Sequence, residues 1–420
     1  MEFASRTRKK RLFNAVNKLN TSIVLFYFVG FLLVSLKPTG NFAWQRLLIA
    51  PAAALMLYIN LTILPKLFPV DRLLLAIVNF LCALGVLVLY TTNPDMGIQQ
   101  AIYYCIGTIF MLFCILFVKY AFSWEFITLP LLIVSLVFLC LPIIFGKEIN
   151  GAKNWIHISG VSVQPSEIVK ISLIIISAYA MSRFRRVYWI VFLGVSMIIL
   201  MLQRDLGAVL LYFTVIIFMY YSSNGSKRIM AGMGLIGMSS AVFAYNRFSH
   251  IKRRVAIWIN PWADYKNSGY QLVQSLVAIA SGGLLGMGLG LGNPTVVPIY
   301  HTDFIFAVIC EQFGLIFGGL VLGLYALLVI RAGFIAQTAQ TRFHALLAIG
   351  CSSMIAVQTF VIIAGVIKLI PLTGVTMPFV SYGGSSLVSS MGIVGLLQGV
   401  AGFNRDRLKD DAYMAGMDKL

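Results

Sequence analysis

The sequence predicts an all-α polytopic membrane protein, a helical bundle with about 12 transmembrane helices. Its composition is 60% hydrophobic with 11% charged residues, and its mean hydropathy is +0.90. Apolar runs of about 17–25 residues recur along it, the length that crosses hydrocarbon as helix. Soluble domains do not carry so many such runs, so the chain reads as one integrated bundle. The net charge of +18 does not point to nucleic acid, because most Lys and Arg flank apolar runs, where membrane orientation places them. Six cysteines (Cys82, Cys105, Cys114, Cys140, Cys310 and Cys351) fall singly inside apolar runs. They read as small buried hydrophobes, not as disulfides or metal ligands.

Breaks at charged, Pro, Gly and Asn residues place the spans near 22–36, 46–64, 73–91, 98–118, 127–146, 165–182, 187–202, 206–222, 229–245, 304–330, 344–367 and 378–402. Arg6, Arg8, Lys9, Lys10 and Arg11 precede the first, and no small-residue cleavage site follows cleanly, so an uncleaved first helix is expected. Alternate loops hold Lys66 and Arg72, Lys119, Arg183, Arg185 and Arg186, Lys227 and Arg228, then Arg331 and Arg342; the tail holds Arg405, Arg407, Lys409 and Lys419. That bias and the even span count put both termini in the cytoplasm.

One outer loop breaks the rule. Residues 246–302 carry Arg247, Lys252, Arg253, Arg254 and Lys266, a basic set that topology does not require. Its apolar stretch Val273 to Leu291 is interrupted at Ser281-Gly282-Gly283 and is expected to be a re-entrant or surface-lying helix. A second outer loop, Lys147 to Gln164, is polar and carries Trp155 at interface depth. A third, Lys368 to Met377, leads through Pro378-Phe379 into the small polar run from Ser381 to Ser386. These loops converge on one face, the candidate active surface.

Arginines at a membrane edge suit phosphate, which they bind bidentately, or lipid headgroups along which they snorkel. Asp303, at the head of the run from Phe304 to Ile330, has two readings. It is a helix-start charge favoured by the dipole, or a base that takes a proton from a substrate hydroxyl beside a phosphate leaving group. Asp205 after Arg204 reads as a salt bridge fixing helix entry. Glu167 and Lys170 share a helix face as a structural pair or as part of a polar path. Glu311, two turns beyond Asp303, is a second acid or a packing partner. Gly286, Gly288 and Gly290 imitate a dinucleotide fingerprint, but no strand precedes them. Of His157, His250, His301 and His344, none has metal-ligand spacing, and only His301 lies near the acid.

Eight segments in order resemble the SEDS family, the RodA/FtsW/SpoVE peptidoglycan glycosyltransferases. They are Asn150-Gly-Ala-Lys-Asn-Trp155, Gln164-Pro-Ser-Glu167 with Lys170, Gln203-Arg-Asp205-Leu-Gly207, and Arg254-Val-Ala-Ile-Trp258-Ile-Asn260-Pro261. Gly269-Tyr-Gln271, His301-Thr-Asp303-Phe304, Pro371-Leu-Thr-Gly374 and Pro378-Phe-Val-Ser381-Tyr-Gly-Gly-Ser-Ser386 complete the set, which covers about residues 147–405. The resemblance implies polymerisation of lipid II into glycan strands on the outer face of the bacterial cytoplasmic membrane, with a class B penicillin-binding protein as cross-linking partner. It makes Asp303 the essential acid. Arg247, Arg253 and Arg254 become candidates for the diphosphate, with Lys153, Trp155, Arg204, Gln271, His301, Ser381 and Ser385 as further substrate-binding candidates. Glu167, Lys170, Asp205 and Glu311 are assigned to structure or a polar path. No cofactor is called for with certainty; Mg2+ or Mn2+ is a candidate helper of diphosphate departure, without a dedicated cage. Against the family's ten spans, two N-terminal ones are additional. The chain then divides into N-terminal helices 1–125, where no motif matches, a catalytic core 126–405 with the extracellular loop 246–302, and a cytoplasmic tail 406–420. A lipid-precursor flippase, using Glu167, Lys170 and Gln358 as a path, and a non-catalytic scaffold are the competing readings.

Overall fold

The computed structural model describes residues 2–36, 44–121, 123–149, 152–158, 161–183 and 186–417. The side chains of the N-terminal basic cluster, of Arg186 and of the tail 406–420 lie outside the described residues, as do Asn150, Gly151 and Arg185.

Fifteen helices and a small sheet make up the described chain, in the order α1 (Glu2–Ser35), α2 (Trp44–Tyr58), a π-helical turn (Ile59–Ile63), α3 (Leu64–Leu67), α4 (Arg72–Thr92), α5 (Pro94–Tyr120) and α6 (Trp124–Phe145). Then come β1 (Lys147–Ile149), β2 (Ala152–Ile158) and β3 (Val161–Val163), followed by α7 (Pro165–Ser182), α8 (Arg186–Leu202), α9 (Leu206–Ser222) and α10 (Lys227–Arg247). The remainder is α11 (Ser249–Ile259), α12 (Tyr270–Gly282), α13 (Ile305–Gln337), α14 (Arg342–Val366) and α15 (Gly384–Met417). Ten helices are long and apolar enough to cross a membrane, and the apolar segments Ile190–Leu202 and Leu206–Ser222 are shorter. Each predicted span overlaps helical residues, the second running through α2, the π-helical turn and the start of α3.

Helix starts follow local chemistry. Asp71 caps α4 by accepting from the Leu74 amide, Asn93 caps α5 ahead of Pro94, and Thr341 caps α14. The best-buried helices are α4, α7, α14 and α15, with α5 lying along α15. Gly395 permits that approach: a Cβ there would stand 2.5 Å from the Met111 carbonyl oxygen.

Four expectations need correction. The polar loop after α6 adds to the all-α expectation a three-stranded antiparallel sheet ordered β1-β2-β3. The helix expected over 273–291 ends at Gly282, and its glycine-rich remainder is a loop. The last span starts at Gly384, not 378, because Pro378 to Gly383 form turns, with Phe379 at φ +69°. Finally α13 is broken at Gly314, whose φ of +86° and ψ of 169° no helix accommodates.

The end of the bundle away from Asp303 is tied by one knot. The Arg331 guanidinium meets the Asp71 carboxylate at 2.5 Å, the Gln398 amide donates to the Asp71 carbonyl at 3.0 Å, and its carbonyl accepts from the Asp71 amide at 2.6 Å. Asp71 thus joins α4, α13 and α15 while capping α4.

Candidate active site

Asp303 lies in the turn before α13, half-buried. That turn is held by the loop between α14 and α15: the Ser381 hydroxyl donates to the Thr302 carbonyl at 2.6 Å and the Tyr382 amide to the His301 carbonyl at 2.8 Å. Gln100 of α5 in turn donates to the Ser381 carbonyl at 2.9 Å and accepts from the Gly383 amide at 3.3 Å. Ser381 also accepts from the Met377 amide. Its hydroxyl is therefore committed to shaping the wall of the site.

Arg254 reaches the same place from α11. Its Nη1 donates to the Leu372 carbonyl at 3.2 Å and the Thr373 carbonyl at 2.8 Å, while one turn later the Trp258 indole donates to the Lys368 carbonyl at 3.1 Å. These bonds lay α11 along the loop after α14. Gly374 fills the corner with φ +75°; a Cβ there would be 3.7 Å from both Arg254 Nη2 and Asp303 Oδ2. The guanidinium and the carboxylate therefore face each other across a residue that needs glycine.

Burial pushes the Asp303 carboxyl up from the ordinary carboxylate range to about 6, against the lowering pull of a Thr302 hydrogen bond and the Arg254 charge. Burial lowers His301 below the ordinary imidazole range, and its ring stands edge-on to Tyr382 at 5.7 Å. His250 is lowered by burial and then by the charges of Arg254 and Arg204, so those two arginines share one electrostatic neighbourhood.

The other candidates disperse. Arg253 is exposed beside a tight turn whose acid, Asp264, is held by Ser268 and Asn267, while Arg247 is exposed at the end of α10. Lys153 is exposed and Trp155 half-buried on β2, Gln271 is half-buried in the first turn of α12, and the buried Ser385 hydroxyl accepts from the Gln164 amide at 3.5 Å. The expected Arg204–Asp205 bridge does not form. Asp205 caps α9 through the Ala208 amide and accepts from Gln164, Ser166 and Asn154, whereas Arg204, at φ +60°, reaches Glu148 at 3.5 Å.

Glu167 and Lys170 pair at 2.6 Å in a closed buried ring. Lys170 donates to Gln358 at 3.0 Å, Gln358 to the Thr376 carbonyl at 2.9 Å, Thr376 and Ser386 share a 2.6 Å bond, and Ser389 joins the Ser386 carbonyl to Glu167. Both charges are matched inside the ring, which favours the structural reading of the pair. Glu311 accepts from the Asn293 amide at 2.9 Å. Among the described residues no group of three His, Cys, Asp or Glu side chains could hold a metal ion.

The motifs pointed to Asp303, Arg254 and Ser381, but not to Gln100, the fully buried member of the Gln99-Gln100 pair, whose burial cost is its signal. Gly374, quoted inside a motif, gains its meaning only from the corner it fills.

Comparison with known proteins matches residues 70–406 to the FtsW/RodA/SpoVE family of cell cycle proteins. Stage V sporulation protein E of Bacillus subtilis (strain 168) is 34% identical over 360 residues, 80% of this chain and 98% of that one. The peptidoglycan glycosyltransferase RodA of Mycobacterium tuberculosis (strain ATCC 25618 / H37Rv) is 36% identical over 291 residues. That match takes in 63% of this chain, and the chain spans only 61% of the length of that relative. A solved chain from work on structural coordination of polymerization and crosslinking by a peptidoglycan synthase complex superposes with a TM-score of 0.68 at 26% identity, covering 80% of this chain and 98% of its own. The family match begins before α4, so it reaches further towards the N-terminus than the quoted motifs do and leaves α1 and α2 outside it. With the fold, the ordered motifs and this match in agreement, the chain is a member of the FtsW/RodA/SpoVE family.

Proposed function

We propose that the protein is a peptidoglycan glycan-strand polymerase, a glycosyltransferase joining disaccharide-peptide units from lipid II to a growing strand. The observation that carries this reading is Asp303, desolvated to about 6, facing an arginine that backbone carbonyls hold in place. The names of the relatives support the reaction class.

Asp303 takes the proton from the acceptor sugar hydroxyl as that oxygen attacks the donor's anomeric carbon. The new glycosidic bond forms as the bond from that carbon to the phosphate oxygen breaks, and the diphosphate leaves with the electron pair. A single displacement inverts the anomeric centre, so one base and a cationic rest for the leaving group suffice. Arg254, held by the Leu372 and Thr373 carbonyls, forms the near cationic wall; Arg204, Arg247 and Arg253, exposed as Arg254 is, steer the anionic headgroup on arrival. Mg2+ or Mn2+ remains a candidate helper of diphosphate departure, for which Asp303 is the nearest carboxylate to the Arg254 wall. A class B transpeptidase is the partner expected to cross-link the product, in keeping with the synthase-complex match. The charge bias supports a topology with the Asp303 end outside the cytoplasmic membrane and both termini inside.

The test is polymer formation from labelled lipid II by the purified protein, with and without a transpeptidase partner. Asp303→Asn and Asp303→Ala should each lose polymer by at least about a hundredfold with folding intact. Wild-type-like polymer from Asp303→Asn would sink the base role. Lipid transport persisting in a variant that makes no polymer would favour a flippase.

A further inference from the structure

The break in α13 is splinted by the chain's own glycine-rich loop. Gly314 interrupts the helix nine residues after its start, stranding the carbonyls and amides on either side. The Met287 and Gly288 amides take up the Glu311 and Gln312 carbonyls at 2.9 and 3.0 Å, and the Leu315 and Ile316 amides donate to the Gly283 and Leu284 carbonyls at 2.9 and 3.3 Å. The fit admits no side chain: a Cβ on Gly286 would lie 2.3 Å from the Gln312 carbonyl oxygen, and one on Gly314 2.3 Å from that of Leu284. Two side chains beside the break add to the splint. Glu311 Oε1 accepts from the Asn293 amide, and Gln312 Oε1 accepts from the Gly290 amide at 3.2 Å. Asp303 stands on the short connection between this loop and the first half of α13.

Such a splint is weakly held from outside. Leu284, Leu285 and Leu291 are exposed, and a glycine-rich backbone has much freedom to regain. The only described elements preceding the family match are α1 to α3, and α1 packs against this place. Phe26 lies against Phe317 with ring centroids 6.4 Å apart and 21° between planes, and Phe317 stacks on Phe313, beside Gly314, at 4.6 Å. Phe26 also meets Phe80 of α4 at 5.6 Å, and Leu289 of the glycine-rich loop packs on the same cluster as α1, α2 and α4. Polar bonds fix the pair to the bundle. The Asn20 side chain donates to the Leu61 carbonyl at 3.1 Å, tying α1 to the π-helical turn, and Asn60 of that turn donates to the Tyr104 hydroxyl of α5 at 2.9 Å, tying the segment to the bundle.

We propose that the N-terminal helix pair is an intramolecular brace for the α13 break, with Phe26 a positioning residue that sets the Asp303 turn through the glycine-rich loop. The claim on catalysis rests on Asp303 being the base; the claim on the splint does not. Full-length protein in lipid nanodiscs is compared by hydrogen–deuterium exchange with Phe26→Ala, Phe26→Tyr and Leu289→Ala. Phe26→Ala and Leu289→Ala should each speed exchange in 283–292 and 311–317 several-fold, with α14 and α15 unchanged and Phe26→Tyr near wild type. Unchanged exchange in those two segments, or a uniform rise across the bundle, overturns the brace. In lipid II polymerisation, Phe26→Ala should lower kcat by about tenfold with KM unchanged, and Phe26→Tyr should restore it. Loosened exchange with wild-type kcat overturns the positioning role. Polymer from Asp303→Asn would instead remove the catalytic reading and leave the exchange result standing.

Discussion

Asp303 carries opposed energies. Burial raises its carboxyl to about 6, so the folded chain holds a proton that the unfolded chain releases nearer the ordinary carboxylate value of 3.8. The charged carboxylate therefore costs stability, a cost absent at low pH that grows as pH rises from about 4 and is complete above about 6. Asp303→Asn should therefore raise thermal stability at pH 7.5 by on the order of 2 kcal/mol, once solvent screening of the half-buried group is allowed for, and change little at pH 4. Thermal melts at the two pH values check this; a variant less stable at pH 7.5 contradicts it. The same shift suits a base, since kcat/KM should climb through an acid limb centred near 6. A limb near 4 would mean that the carboxylate is not desolvated.

At the level of elements, the buried ring joins α7, α14, α15 and the loop that carries Thr376. Glu167→Gln or Lys170→Met leaves one charge buried without its partner and should cost about 3–5 kcal/mol in a denaturation melt. The double variant Glu167→Leu/Lys170→Met should lie well above either single one. If it is instead as unstable as their sum, the pair contributes more than mutual neutralisation. Helices were legible because apolar length and caps are local properties. The splint was not, because 283–292 has no period of its own and its hydrogen bonds end on residues 311–316, a pairing only the fold makes. Arg204 and Asp205 misled for a related reason. Neighbours of opposite charge look paired, but the cap of α9 claims the aspartate while a left-handed backbone turns the arginine away.

For the whole molecule, the charge bias predicts orientation. A membrane-impermeant maleimide applied to intact cells should label Lys153→Cys on β2 and spare Arg342→Cys at the start of α14. The reverse pattern would invert the topology and put Asp303 on the cytoplasmic side. The candidate site itself was half-legible: a carboxylate and arginines at a membrane edge are costly enough to show in a sequence, but which arginine faces the acid depends on the corner at Gly374. Order of synthesis bears on this site. The Asp303 turn is pinned by Ser381 and Tyr382, and these are held by Gln100, 281 residues before Ser381. A nascent chain inserted as far as α14 has already made its acid and its arginine, yet lacks the loop that sets them face to face. The geometry around Asp303 is therefore set late, when the segment from Gly374 to Gly383 meets a turn and an amide made long before it.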